Sequence, residues 1–381
     1  MTLTDPVPLA AALVRVPSVT PDDGTCLGLV AGWLEQLGAR LWWVEEPGEP
    51  RVANLVARLG EGGRRFAFAG HTDVVPPGDE ALWRFSPFAG DVVDGQLRGR
   101  GACDMKGGVA AAVAAAARLQ AEGGLAGEWW FYLTGDEEGP SVRGTAAIVR
   151  WLQREGFGFD GCIVGEPTSS RVVGDTLKVG RRGSFTARIT VEGVQGHTAY
   201  PLKADNPIHR LARIVAELAS SPLDAGTDRF EPSSLQVTTF DVANPASNVI
   251  PAKAEAVLNI RFNTLHDGLS LETWLAEVAE RHAPGRSRVA VTSLNEAFFA
   301  GDGGFARLVA DAVVAGLGVA PRPSTGGGTS DARFLKDLGP VVELGTVGHS
   351  LHQANEYVGT DELEALTLAY RAVAQRFFEA G

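Results

Sequence analysis

Cysteine is scarce in this 381-residue chain: Cys26, Cys103 and Cys162 are the three present, and no two form a CxxC pair. An odd, scattered set cannot be fully paired, so a reducing, cytoplasmic setting is expected. Basic residues are outnumbered, 34 Lys and Arg against 46 Asp and Glu, for a formal charge of −12. That balance argues against nucleic-acid binding, which needs clustered cations at phosphate. It does not exclude an anionic small molecule, because a pocket is local and net charge is global. Long apolar runs are missing too. The most apolar stretch, residues 109–117, is alanine-rich and too short to cross a bilayer. The N-terminus, Met1-Thr2-Leu3-Thr4-Asp5-Pro6, lacks the basic region and apolar core of a signal peptide. No tandem repeat or low-complexity tract stands out. These absences point to a soluble protein with no membrane or nucleic-acid partner.

What is present is a folded composition, 45% hydrophobic and 21% charged, long enough for two domains. Apolar residues recur at helical spacing over residues 8–16 and 27–37, and strand-like runs follow at 40–44, 54–59 and 65–69. Residues 105–120 read as a helix of small side chains, 129–134 as a buried strand, 145–155 as a helix and 161–164 as a further strand. Strands alternating with helices, with polar residues just past the strand ends, predict an open α/β sheet. Its ligand crevice is expected at the carboxyl ends of the strands. From Gly180 the texture changes. Strands at 184–191, 235–240, 254–262 and 289–293, with helices at 206–219 and 269–281, give a βαββαβ order. Helical texture resumes over 305–317, followed by a strand at 341–344 and a last helix at 361–378. The expected organisation is one α/β domain, residues 1–179 and 295–381, interrupted by an inserted α+β domain at 180–294.

The polar residues past those strand ends carry the chemistry. Asp136-Glu137-Glu138 directly follows the apolar run Trp129-Trp130-Phe131-Tyr132-Leu133. Negative charge stacked on a buried strand is costly unless something positive neutralises it. His71, Asp104, Glu138, Glu166 and His352 together offer two imidazoles and three carboxylates, a set suited to zinc, cobalt or manganese. Five ligands exceed one tetrahedral site. One carboxylate bridging two ions would use all five and leave room for a shared water. Two metals about 3.5–4 Å apart would lower that water's pKa and polarise a carbonyl together. Singly, each residue has a plainer role: a hydrogen-bonded His71, an N-capping Asp104, a turn acid at Glu166, and His349 as a rival to His352. The combination is what points to metal.

Several segments then resemble one family. Gly70-His71-Thr72-Asp73-Val74-Val75-Pro76, the run from Gly99 to Gly108 around Asp104, Asp136-Glu137-Glu138-Gly139 and Gly165-Glu166-Pro167 resemble the ordered motifs of the dinuclear-zinc aminoacylase/carboxypeptidase (M20-type) family. Gly196-His197-Thr198-Ala199-Tyr200-Pro201 and Asp205-Asn206-Pro207 are similar to its inserted-domain motif. The resemblance spans essentially the whole chain. It implies a zinc-exopeptidase-like α/β catalytic domain with an inserted ferredoxin-like dimerisation domain, and a homodimer. It also implies two Zn2+ per subunit, with Co2+ possible in one site. His71 and Glu166 would bind one ion and Glu138 and His352 the other, with Asp104 bridging. Asp73 would support His71. Glu137, facing the opposite way from Glu138 on an extended segment, would be the general base. His197, from the second subunit, would stabilise the oxyanion.

Within the family, Gly180-Arg181-Arg182-Gly183-Ser184, Thr325-Gly326-Gly327-Gly328-Thr329-Ser330-Asp331 and Leu351-His352-Gln353-Ala354-Asn355-Glu356 look like the branch that cleaves N-succinyl-LL-2,6-diaminopimelate. The products would be succinate and LL-2,6-diaminopimelate, a step of lysine and cell-wall precursor synthesis. Arg181 and Arg261 would clamp substrate carboxylates, with Arg182 a weaker match. Ser184, Tyr200, Asn248, Gly328 and Thr329 align with pocket-lining positions by resemblance. Gly348 stands where many members of that branch carry Asn, and Ser247 replaces the first of a paired asparagine. The competing expectations are the same chemistry on another acyl amino acid, such as N-acetylornithine, and a catalytically silent metal- or peptide-binding relative. Cys103 reads as a packed small residue, and Asp136 keeps a structural role.

Overall fold

The computed structural model describes residues 2–49 and 51–380. The chain forms two compact units. The first comprises the segments up to Val179, Ala300–Ser324 and from Ser330 onward. Its centre is an eight-stranded sheet in the order Arg40–Trp43, Asn54–Leu59, Glu128–Thr134, Arg65–His71, Gly161–Val164, Val341–Glu343, Thr176–Lys178, Arg322–Ser324. Glu128–Thr134, Arg65–His71, Gly161–Val164 and Val341–Glu343 run parallel to one another. Every residue of Glu128–Thr134 is buried, which is why it reads as a continuous apolar run and not as an alternation.

Helix Gly107–Ala121 is buried at every position from Gly107 to Ala117, its alanines there included. Expected from Met105, it starts two residues later because Asp104 and Met105 have non-helical backbone angles. The Asp104–Met105 peptide is cis. Met105 is fully buried, and its side chain tucks beneath two strand ends. A Cβ on Gly165 would lie 2.6 Å from Met105 Cε, and one on Gly70 would collide with the same atom. Gly165, before Glu166, is required by this packing because the Phe68 ring is as close to that position, whereas Gly70, before His71, faces the tip of Met105. An aromatic layer closes the core, with Trp129 stacked on Phe131 and Phe66 set edge-on to Trp129.

The second unit has its own core. Four antiparallel strands lie in the order Ser234–Asp241, Lys253–Phe262, Gly183–Glu192, Ser287–Asn295. Alternate residues Phe185, Ala187, Ile189 and Val191 are buried. They share an apolar cluster with Leu211, Ile214 and Leu218 of helix Pro207–Ser220 and with Leu271, Leu275 and Val278 of helix Gly268–His282. Asn206 caps the first helix through Ile208 N–H, and an Asp267–Ser270 capping box starts the second. This unit comprises Gly180–Phe299 and Thr325–Thr329, so it reaches past the expected end at 294. The physical reason is pairing: Phe298–Phe299 zips antiparallel onto Gly180–Arg181, and Thr325 Oγ1 donates to the Arg229 carbonyl.

Candidate active site

The parallel strands of the first unit end together, as a ligand crevice of an open α/β sheet requires. His71 is the last residue of Arg65–His71, Glu137 and Glu138 follow Glu128–Thr134, and Glu166 follows Gly161–Val164. Asp104 arrives on the irregular turn before helix Gly107–Ala121, and His352 on the loop before Tyr357–Gly359. The structure brings all five predicted ligands of this unit to one place, with Asp73 and Glu137 beside them.

Asp104 is the hinge of the arrangement. Its Oδ1 lies 3.1 Å from His71 Nε2 and its Oδ2 3.2 Å from His352 Nε2. His352 Nε2 is also 2.9 Å from Glu138 Oε1, and His71 Nε2 is 3.9 Å from Glu166 Oε1. Ligand atoms of His71, Asp104 and Glu138 cluster within 4.8 Å of one another, as do those of His71, Glu137 and Glu166. His71 is 1% exposed, while the His352 side chain is 46% exposed, so the site opens on the His352 side.

The charges are lopsided, with Asp73, Asp104, Glu137, Glu138 and Glu166 facing two imidazoles. His71 Nδ1 lies 2.9 Å from the Asp73 main-chain carbonyl. A carbonyl can only accept, so Nδ1 carries the proton and the Nε2 lone pair of a neutral ring faces Asp104. Two acceptors at 3.1 Å repel unless a proton or a metal cation stands between them. The charges of these side chains by themselves respond accordingly. Burial disfavours a charged His71, yet the Asp104 and Glu137 carboxylates hold it well above its ordinary value. Hydrogen bonds to Asp104 and Glu138 raise His352 to about 10. Burial pushes Asp104 upward, but the two histidines hold it below the usual carboxylate range. Burial, then Glu166 and Asp331, push Glu137 well above that range. This excess of oxygen and imidazole donors fits divalent metal cations.

Asp73, expected to support His71, and two residues outside the predicted set, Glu356 and Asp331, shape the centre. The Asp73 carboxylate lies 3.6 Å from His71 Nδ1, farther than its own carbonyl, and instead accepts the N–H groups of Glu137 and Glu138. Glu356 accepts from Cys103 N–H, Asp104 N–H and Arg100. Asp331 is buried, accepts from Thr145 Oγ1 at 2.6 Å, and adds negative charge near Glu137. The only hint of Glu356 and Asp331 in the sequence was their place in recognised motifs. Asp136 Oδ2 accepts from the N–H groups of Val142 and Arg143, closing the loop after the acid triplet. Cys103 is fully buried.

The remaining predicted residues belong to the second unit. Ser184 and Arg261 are directly opposed on neighbouring strands, and Asn259 Nδ2 donates to Ser184 Oγ at 3.3 Å. Burial, then the charge of Arg182, lowers the Arg261 pKa. Arg182 itself pairs with Glu231 at 3.4 Å. Arg181 is buried and donates to the Gly326 carbonyl of the Thr325–Thr329 segment, which carries Gly328 and Thr329. His197, Tyr200 and Asn248 gather elsewhere in the unit. Gly196–His197 pairs with Val249–Ile250, Thr198 N–H donates to the Asn248 carbonyl, and the His197 and Tyr200 rings lie 5.8 Å apart.

Residues 67–376 match the profile of Peptidase family M20/M25/M40, and the chain belongs to that family. It is 52% identical over 377 residues to a succinyl-diaminopimelate desuccinylase of Rhodospirillum centenum, covering 98% of this chain and 97% of the relative. Among solved structures, a tripeptidase from Staphylococcus aureus superposes with a TM-score of 0.79 at 19% identity, covering 100% of both chains. A Bacillus subtilis protein described as a dinuclear metal-binding peptidase from the M20 family superposes with a TM-score of 0.73 at 17% identity, covering 98% of both.

Proposed function

We propose that this protein hydrolyses N-succinyl-LL-2,6-diaminopimelate to succinate and LL-2,6-diaminopimelate, a step of lysine and diaminopimelate biosynthesis. One observation carries the hydrolytic chemistry: Asp104 turns one oxygen to each of two histidines, with Glu137 at hand. The substrate rests on the 52% identity to a relative of that name.

His71 and Glu166 are assigned to one metal ion, Glu138 and His352 to the other, and Asp104 to both. Zinc is the proposed metal, with cobalt able to fill one position. Two divalent ions, when bound, supply charge that polarises the amide carbonyl and makes water more acidic. Glu137 takes the proton from the attacking water and returns it to the departing amine. Asp73 keeps Glu137 and Glu138 in place through their N–H groups. By the resemblance alone, His197 from the second copy of a homodimer is assigned to the oxyanion, and Arg181 and Arg261 to substrate carboxylates. Ser184, Tyr200, Asn248, Gly328 and Thr329 are assigned to the substrate pocket on the same ground. No described helix is long and apolar enough to cross a membrane; a cytoplasmic location is proposed.

A panel on metal-reconstituted protein tests the reading. The expected result is a higher kcat/KM on N-succinyl-LL-2,6-diaminopimelate than on N-acetylornithine. The reverse order would replace the substrate, and no hydrolysis of any acyl amino acid would leave a silent relative.

A further inference from the structure

The segments that carry Asp104 and His352 are joined by a buried ion pair. Arg100 Nη1 donates to Glu356 Oε2 at 2.6 Å, and the two residues are 2% and 0% exposed. From this pair, hydrogen bonds run in both directions. Glu356 Oε1 accepts Cys103 N–H at 3.1 Å and Asp104 N–H at 3.3 Å. Arg100 donates to the Gln353 carbonyl at 3.2 Å and to the His352 carbonyl at 3.4 Å. Gly99 N–H closes the ring on the Glu356 carbonyl at 2.9 Å. The guanidinium also sits 5.2 Å over the ring of Trp83.

This pairing answers a specific need. His352 has φ of +58°, a left-handed conformation uncommon for a residue with a Cβ, although His adopts it more readily than most. Asn355, three residues on, has φ of +65° and is held from outside by Arg84 N–H and the Leu82 carbonyl. A buried ion pair adds little to stability over an apolar pair of the same volume, so stability alone does not account for it.

We infer that Arg100 and Glu356 are positioning residues that lock Asp104 and His352 into one cation-binding geometry. Glu356 sets the Asp104 main chain, Arg100 sets the His352 main chain, and the pair ties one to the other. The inference rests on the metal centre proposed above and adds the device that holds two of its ligands in register.

Zn2+ titration of chelator-stripped protein tests it, with wild type, Glu356→Gln and the paired Arg100→Met/Glu356→Leu variant compared by calorimetry. The paired variant removes both charges together, which keeps the fold measurable if the single variant is unstable. Metal-free melting temperature and separate kcat and KM values complete the set. We expect Zn2+ affinity to weaken about 10–100-fold in the folded variants, with kcat lowered and KM little changed. The paired variant should melt below wild type, because Cys103 N–H and Asp104 N–H lose their acceptor, so affinities are compared at a temperature where each variant is folded. Wild-type Zn2+ affinity in a folded variant, or a loss that only follows its unfolded fraction, would overturn the positioning role and leave the metal centre intact. Failure of the wild type itself to bind Zn2+ would overturn the metal centre and this inference together.

Discussion

Asp73 Oδ1 accepts the main-chain N–H of Glu137 at 3.1 Å, and its Oδ2 accepts the next N–H, that of Glu138, at 3.0 Å. One buried carboxylate thereby aims both the proposed base and a proposed metal ligand, while its own carbonyl receives the His71 ring. Replacing Asp73 with Ala strands two N–H groups, each worth about 1–3 kcal/mol when left unsatisfied. The expected outcome is a clear drop in melting temperature and about a 10–100-fold loss in metal affinity or activity. Metal content and kcat measured on the same sample check it.

Glu137→Gln keeps the shape of the side chain and removes its capacity as a base. Metal content should stay at the wild-type level while kcat falls by roughly 10²–10⁴. A near-normal rate in the metal-loaded variant would take the role of base away from Glu137.

Removing metal should abolish hydrolysis, and Zn2+ or Co2+ should restore it. Because cations bind the folded centre, the stripped protein should also melt at a lower temperature than the loaded one. Full activity after exhaustive chelation, verified by elemental analysis, would refute the metal mechanism.

In the second unit, Asp224 offers a pH test on a group that is not one of the proposed metal ligands. Burial alone would raise its pKa from 3.8, but hydrogen bonds from Ser233, Gly226 and Asn263 bring it to about 2. Its folded pKa lies below its unfolded one, so its stabilisation is complete above about 4 and is lost as pH falls toward 2. Asp224→Ala should cost roughly 2–3 kcal/mol at neutral pH, since bonds to an ionised acceptor are lost. The gap from wild type, followed by chemical denaturation, should narrow on acidification; a gap that stays constant to pH 2 would contradict the assignment.

Gly165→Ala tests the packing under the site. The added methyl would sit 2.6 Å from both Met105 Cε and Phe68 Cζ. The expected cost is about 1–3 kcal/mol from overpacking, read by urea denaturation.

Much of this was legible without coordinates, and for physical reasons. Parallel strands buried on both faces must be apolar throughout, so their ends show where the run breaks into His71, Asp136 or Glu166. The alternation in Gly183–Glu192 and Lys253–Phe262 likewise marked strands with one covered face. Short elements such as Asp91–Val93, Gln96–Arg98 and Thr176–Lys178 were missed, because three residues carry no period.

The sequence by itself determined the candidate ligand types, the order of the motifs and the two-part organisation, since residue chemistry and local periodicity are written along the chain. Tertiary structure alone decided which side chains meet within the first unit. It turned the two oxygens of Asp104 toward histidines from distant segments. It gave Asp73 to the backbone of Glu137 and Glu138. It buried Arg100 against Glu356. Those relationships depend on which strand ends and loops become neighbours, and that follows from packing the whole sheet, not from any stretch read alone.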